Sequence, residues 1–180
     1  MSAQKVWFYG DEGFRPKKGN HFMSHDISLV TNIGIVCMEN QEGCVKPRMP
    51  FQGSAQAAGW DISTNIADPV TLKAGEWRLF PTGLKLMIPD GYEIQVRPRS
   101  GLALKKGLTV LNAPGTIDSD YTGELGVILI NHSPNSKVVN PYERIAQIVL
   151  KKVERVAFRQ TATITKDTKR GSGGFGSSGE

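Results

Sequence analysis

Two carboxylates and a tyrosine lie between glycines in Gly115-Thr116-Ile117-Asp118-Ser119-Asp120-Tyr121-Thr122-Gly123. An ionised carboxylate held in such a segment can orient and deprotonate a water. The same residues also make an ordinary exposed β-turn, in which aspartates cap backbone groups. Upstream, Arg97-Pro98-Arg99-Ser100-Gly101 leads into a candidate helix start. Backbone N–H groups at a helix N-terminus bind phosphate, and arginine adds bidentate contacts; a capped helix with solvated arginines is the alternative. The C-terminal run Arg170-Gly171-Ser172-Gly173-Gly174-Phe175-Gly176-Ser177-Ser178-Gly179 has the glycine density of a phosphate loop but no Gly-Lys-Ser/Thr ending. It reads either as a disordered tail or as a flap that closes over a nucleotide, the arginine on phosphate and the ring on a base. Asp61, after Gly59-Trp60, suits the water shell of Mg²⁺, or is a turn aspartate. Arg144 and Gln147, three apart in a strand-like stretch, are expected on opposite faces.

The elements that must hold these residues read as strands. Tyr92-Glu93-Ile94-Gln95-Val96-Arg97 alternates with period two after the turn signal Pro89-Asp90-Gly91, and residues 83–88 make the strand before it. Residues 125–130 are nearly continuously apolar, which predicts a strand buried on both faces. Residues 145–153, 27–38 and 5–9 are further strand candidates. No segment holds a helical period over three turns, and residues 101–106 make the best short helix. Many short strands with Gly and Pro turns predict an all-β sandwich or barrel. The expected organisation is one β domain over residues 1–169, with an atypical extension or insertion at about 10–49, and a mobile arm over 170–180.

A chain of 180 residues fits one domain with a sizeable core. The formal charge of +5 suits a polyanionic ligand such as a triphosphate without calling for nucleic acid. Cys37 and Cys44 match no metal or redox spacing. No apolar run approaches the ~20 residues of a membrane helix, so a cytoplasmic protein with no membrane partner is expected.

Taken in order, these segments resemble the five motifs of the homotrimeric dUTP pyrophosphatase (dUTPase) family. They are Ala58-Gly59-Trp60-Asp61-Ile62, Pro98-Arg99-Ser100-Gly101-Leu102-Ala103, Asn112-Ala113-Pro114 running through Gly115 to Glu124, Arg144-Ile145-Ala146-Gln147-Ile148, and the run from Arg170 to Gly179. The resemblance implies a jelly-roll-like β barrel assembled as a homotrimer, with active sites shared between subunits and closed by the C-terminal arm. It implies hydrolysis of dUTP to dUMP and pyrophosphate, with Mg²⁺ on the triphosphate. By the same resemblance Asp118 is the base for the attacking water, and Tyr121 packs under the deoxyribose and excludes a 2′-hydroxyl. The hairpin backbone around Gly115 and Ile117 reads uracil with Asn112. Arg99, Ser100 and Gly101 meet phosphates, and Asp61 and Gln147 support the hydrated metal and phosphates. Arg170 takes the γ-phosphate and Phe175 stacks on uracil. Trp60 stands where the family more often has a smaller or different aromatic residue. Ser24-His25-Asp26-Ile27-Ser28 echoes the first motif, but Asp61 follows Gly59 and has the fitting distance to Ser100.

The nearest alternative is dCTP deaminase, on a related fold, which needs a glutamate on the strand after the central hairpin. Ten residues after Asp118 this chain has Ile128, which cannot move protons. A nucleotide-sensing module, with the extra N-terminal segment as a surface for a protein partner, is the non-enzymatic alternative.

Overall fold

The structure, a computed structural model, describes residues 31, 33–38, 42, 44–166, 168 and 170–174. The strand expected at residues 5–9, Asp26 with its echo of the first motif, and Phe175 lie outside the described residues.

Among the described residues twelve strands and one helix follow in the order β1 (Gly34–Cys37), β2 (Phe51–Gln52), β3 (Trp60–Ser63), β4 (Val70–Leu72), β5 (Trp77–Pro81), β6 (Leu84–Met87), β7 (Tyr92–Arg97), α1 (Ser100–Lys106), β8 (Leu108–Val110), β9 (Gly115–Ile117), β10 (Gly126–Asn131), β11 (Lys137–Val139) and β12 (Arg144–Lys152). The largest sheet runs β2-β3-β12-β7-β9, and a second runs β5-β10-β8. The pairs β1-β6 and β11-β4 complete the all-β architecture, and every pairing is antiparallel.

Alternation decides which face of each sheet turns inward. On β7, Ile94 and Val96 are buried, and on β12 Ile148 lies opposite Val96. They join Phe80, Leu108, Val127 and Leu129 of the second sheet in one core. The other face of β7 carries a polar ladder: Gln95 Nε2 donates to Glu93 Oε1 at 2.7 Å, and Arg97 Nη2 donates to Gln95 Oε1 at 2.6 Å. Helix α1 packs Leu102 inward and ends on Gly107, whose φ of 67° is left-handed. Lys105 and Lys106 occupy its last turn, where cations suit the helix dipole, and Lys106 is paired with Glu143 just before β12.

Two sequence expectations change. Strand β10 is not buried on both faces of this chain: Val127, Leu129 and Asn131 point into the core, while Ile128 and Ile130 are only half-buried. The outer pair lies opposite Leu79 and Trp77, themselves 61% and 60% exposed, so an apolar run here reflects an uncovered apolar face as much as a buried one. The second change is in β12. Arg144 pairs with Ser63 but Ala146 pairs with Ile62, so one extra residue is inserted between them. This β-bulge resets the alternation and puts Arg144 and Gln147 on the same face, not on opposite ones.

Strand β12 ends at Lys152, and every described residue from Lys151 to Lys166 is exposed. Gly107→Ala tests the helix stop. A Cβ there would lie 2.9 Å from Ser133 Cβ and 3.0 Å from its backbone nitrogen. With the left-handed φ, the substitution is expected to cost about 1–2 kcal/mol, read from the urea unfolding midpoint at fixed protein concentration.

Candidate active site

The central hairpin is built by pairing β9 with β7, where Ile117 faces Ile94 and Gly115 faces Val96. Gly115 is buried, and the amide of Asn112 lies 3.1 Å from where its Cβ would be, so glycine lets the asparagine fold over the backbone. Beyond β9 the chain turns, and Tyr121 N–H donates to Asp118 O at 3.2 Å. Tyr121 Oη donates to the Glu124 carbonyl at 3.0 Å, and its ring lies over Gly123, where any Cβ would overlap it. One short turn thus fixes the carboxylate and the ring relative to each other.

A cleft of about 260 Å³ opens between this hairpin and the second sheet. Asn112, Ile117, Asp118 and Tyr121 line one side, and Leu79 and Ile128 line the other. Asp118 is exposed, and its carboxylate makes no hydrogen bond or ion pair among the described residues. It is therefore free to accept a proton from a bound water.

A second group forms on the outer face of the largest sheet. Asp61 Oδ1 accepts from Arg99 Nε at 2.9 Å, and Asp61 Oδ2 accepts from Arg144 Nη1 at 3.1 Å. Arg99 Nη1 also donates to the Arg144 carbonyl at 2.9 Å, which ties the residue before α1 to the start of β12. The Arg144 guanidinium lies over the Phe51 ring, 5.6 Å from its centroid. Gln147 Nε2 donates to Pro98 O at 2.8 Å, and Gly59 leaves the space its Oε1 occupies. These partly exposed ion pairs are each worth under about 1 kcal/mol, so their consequence is geometry more than stability. Ser100 and Gly101 are exposed at the first turn of α1, which has no side-chain cap and no acidic residue.

The structure therefore brings the expected residues together in two groups within one chain. Asn112, Gly115, Ile117, Asp118 and Tyr121 share the cleft and its hairpin. Asp61, Arg99, Ser100, Gly101 and Gln147 gather around the end of β7 and the bulge. Arg170 joins neither; it sits in its own turn, with Nε donating to Gly173 O at 2.9 Å. Among the described residues, no group of three or more His, Cys, Asp or Glu could hold a metal ion, and no helix is long and apolar enough to cross a membrane.

Sequence reasoning gave no role to Leu79, Glu124 or Arg144. Leu79 enters the cleft only through its register with Ile128 across β5 and β10, which no local pattern reveals. Glu124 accepts from Gly83 N–H at 2.6 Å, a link between residues 41 apart in sequence. The signal for Arg144 was present in its spacing from Gln147 and was masked by the bulge.

The sequence profile of the dUTPase family matches residues 26–179, so the match begins within the stretch read as an extension. A deoxyuridine 5'-triphosphate nucleotidohydrolase of Fusobacterium nucleatum subsp. nucleatum is 51% identical over 140 residues, covering 78% of this chain and 93% of that protein. Its counterpart in Chlamydia pneumoniae is 53% identical over 131 residues, covering 73% and 90%. Among solved structures, the dUTPase of Staphylococcus bacteriophage 80alpha with dUPNHPP superposes with a TM-score of 0.72 at 26% identity, over 84% of this chain and all of that one. A dUTPase of phage phi11 of S. aureus, whose structure concerns the coordination of a structural Mg(II) ion, shares the fold with a TM-score of 0.64 at 22% identity, over 76% of this chain and all of that one. With the profile spanning most of the chain and relatives above half identity, the chain belongs to the dUTPase family.

Proposed function

We propose that the dUTP diphosphatase activity of this chain, dUTP and water giving dUMP and pyrophosphate, uses Asp118 as the base that activates the water. The observation that carries this reading is the contrast between the two aspartates. Both oxygens of Asp61 are committed to arginines, whereas Asp118 is open to the cleft and unpaired among the described residues. A carboxylate can take a proton only if it is ionised and within reach of the water, and Asp118 alone of the two is free to do so.

In this reading the nucleoside enters the cleft. The backbone around Gly115 and Ile117, with Asn112, reads the uracil edge, and Tyr121 lies under the deoxyribose where a 2′-hydroxyl would need room. Cytosine would place its amino group against a donor and leave an acceptor unpaired, which is costly in a closed site. Arg99, Ser100, Gly101 and Gln147 meet the phosphates, with Arg170 on the γ-phosphate and Phe175 stacked on the base once the arm closes. Asp61 also aims Arg99 and Arg144.

The donor set fits Mg²⁺ only as a hydrated ion brought in by the triphosphate, with Asp61 and Gln147 at its water shell. Bound in that way, the ion withdraws charge from phosphate oxygens. The arginines, the hydroxyl of Ser100 and the glutamine supply the positions that hold those oxygens.

Among the described residues the two groups line separate clefts, which supports an assembly in which a second copy completes the site. Trp77 and Leu79 on the second sheet, and Val156, Phe158 and Ile164 beyond β12, are largely exposed in a single copy. Such apolar surface suits burial against further copies, as in a homotrimer; a cytoplasmic location belongs to the same proposal. Ile128, half-buried on the wall of the cleft, supports hydrolysis over deamination, because it offers no group to shuttle a proton.

Asp118→Asn is expected to lower kcat by about 10²–10⁴ while dUTP affinity stays within severalfold, measured as pyrophosphate release and by equilibrium binding. A near-normal rate would remove Asp118 from the chemistry. Truncation before Arg170 is expected to cut turnover sharply, with an unchanged far-UV spectrum and unfolding midpoint. Unaffected turnover would return the arm to a plain tail.

A further inference from the structure

The sugar gate needs a rigid seat, and the structure shows how Tyr121 is tied down. Its hydroxyl donates to the Glu124 carbonyl at 3.0 Å, and its ring lies over Gly123. The Glu124 side chain turns back toward the β5–β6 turn, where Oε1 accepts from Gly83 N–H at 2.6 Å. Gly83 is buried with φ of 68°, and a Cβ there would overlap Asn65 and lie 2.5 Å from Pro47 Cγ. Its N–H is held away from water in a conformation that suits glycine, so it requires an acceptor. Its carbonyl accepts from Met38 N–H at 2.7 Å, and Leu125 N–H donates to Leu84 O at 2.7 Å. The Thr82 hydroxyl donates to Leu125 O on the same turn. Three links thus bind residues 124 and 125, whose backbone receives the tyrosine hydroxyl, to residues 82–84.

We propose that Glu124 is a positioning residue for sugar selection: its carboxylate, clamped to Gly83, holds the backbone on which Tyr121 rests. The inference rests on the reading of Tyr121 as the sugar gate. A wall that rejects one extra hydroxyl by steric contact works only if it does not yield, because a pocket that relaxes slightly rejects an added hydroxyl poorly. A carboxylate receiving a buried N–H makes a short, charge-assisted bond, stiffer than a neutral acceptor would give. Glu124 also lines the cleft, so its engagement with Gly83 keeps a second carboxylate oriented away from free proton chemistry beside Asp118.

The test is the ratio of kcat/KM for dUTP to that for UTP in the full chain, with the unfolding midpoint recorded alongside. Glu124→Ala is expected to lower the ratio roughly tenfold or more, since sub-ångström to ångström displacements of positioned groups have effects of that order. Glu124→Gln keeps an oxygen to accept the Gly83 N–H and is expected to restore most of the ratio. Tyr121→Phe removes the hydroxyl end of the clamp without exposing the Gly83 N–H, and is expected to lower the ratio severalfold even if Glu124→Ala does not fold. A Glu124→Ala protein that melts earlier but keeps its ratio, or a Tyr121→Phe protein with an unchanged ratio, overturns the proposal. So does a Glu124→Gln protein that loses turnover as Asp118→Asn does, which would place Glu124 in the proton chemistry. Tyr121→Ala separates the two layers. If it leaves the ratio intact, the sugar-gate reading itself fails. If it collapses the ratio while Glu124→Ala does not, only the role of Glu124 fails.

Discussion

Strand β12 is hydrogen-bonded on both sides, to β3 and to β7, and it cannot shift against one without shifting against the other. One inserted residue in it decides which side chains meet. Before the bulge Arg144 lies opposite Ser63; after it Gln147 lies opposite both Asp61 and Arg97. Without the extra residue, the alternation of the strand would send either Arg144 or Gln147 into the core. The bulge keeps Ile145 and Ala146 buried together while both polar residues face outward. Arg99, two residues past the end of β7 and just before α1, then completes the cluster.

Electrostatics follows from that arrangement. A lone arginine on a surface would sample many rotamers, and ordering it on a phosphate would cost side-chain entropy. Here Arg99 and Arg144 share one carboxylate, so one anion restrains two cations and leaves the pair with net positive charge. The Phe51 ring beside Arg144 adds an apolar support that does not neutralise it. Asp118 is treated in the opposite way: no cation satisfies it among the described residues, and the turn that carries it is fixed through backbone and through Tyr121. The same residue type thus meets two electrostatic settings, one paired and one open, set by its partners alone.

What was legible in the sequence follows the length over which a pattern can express itself. The six residues of β7 show period two and were placed with their bounds, as was the short helix to within one residue. Strands β2, β3, β4, β8, β9 and β11 have two to four residues, too few for a period, and only pairing with neighbours makes them strands. The cleft residues Asp118 and Tyr121 were legible because glycines bracket them in one contiguous segment, and Asn112 only through the family resemblance. The cluster was legible in membership but not in geometry. Spacing alone placed Arg144 and Gln147 on opposite faces, since an inserted residue leaves no trace in a hydrophobic pattern. Leu79 and the Glu124–Gly83 link were illegible for a related reason: each depends on the register of strands far apart in sequence.

The composition of the cleft also limits which reaction the fold can run. Replacing an exocyclic amine on a base needs a group that both gives and takes protons, and the wall that β5 and β10 give the cleft, Leu79 and Ile128, offers none. Attack at phosphorus has a different requirement. The departing pyrophosphate carries its charge on several oxygens, so it needs cations and positioned donors more than a proton. One unpaired carboxylate and a separate cluster of restrained arginines match that requirement, and a second free carboxylate in the cleft would only repel the triphosphate. Glu124 is the residue that could have been such a liability. With one oxygen committed to the Gly83 amide, it is held by the backbone of the β5–β6 turn, and Asp118 is the cleft's carboxylate without a partner among the described residues.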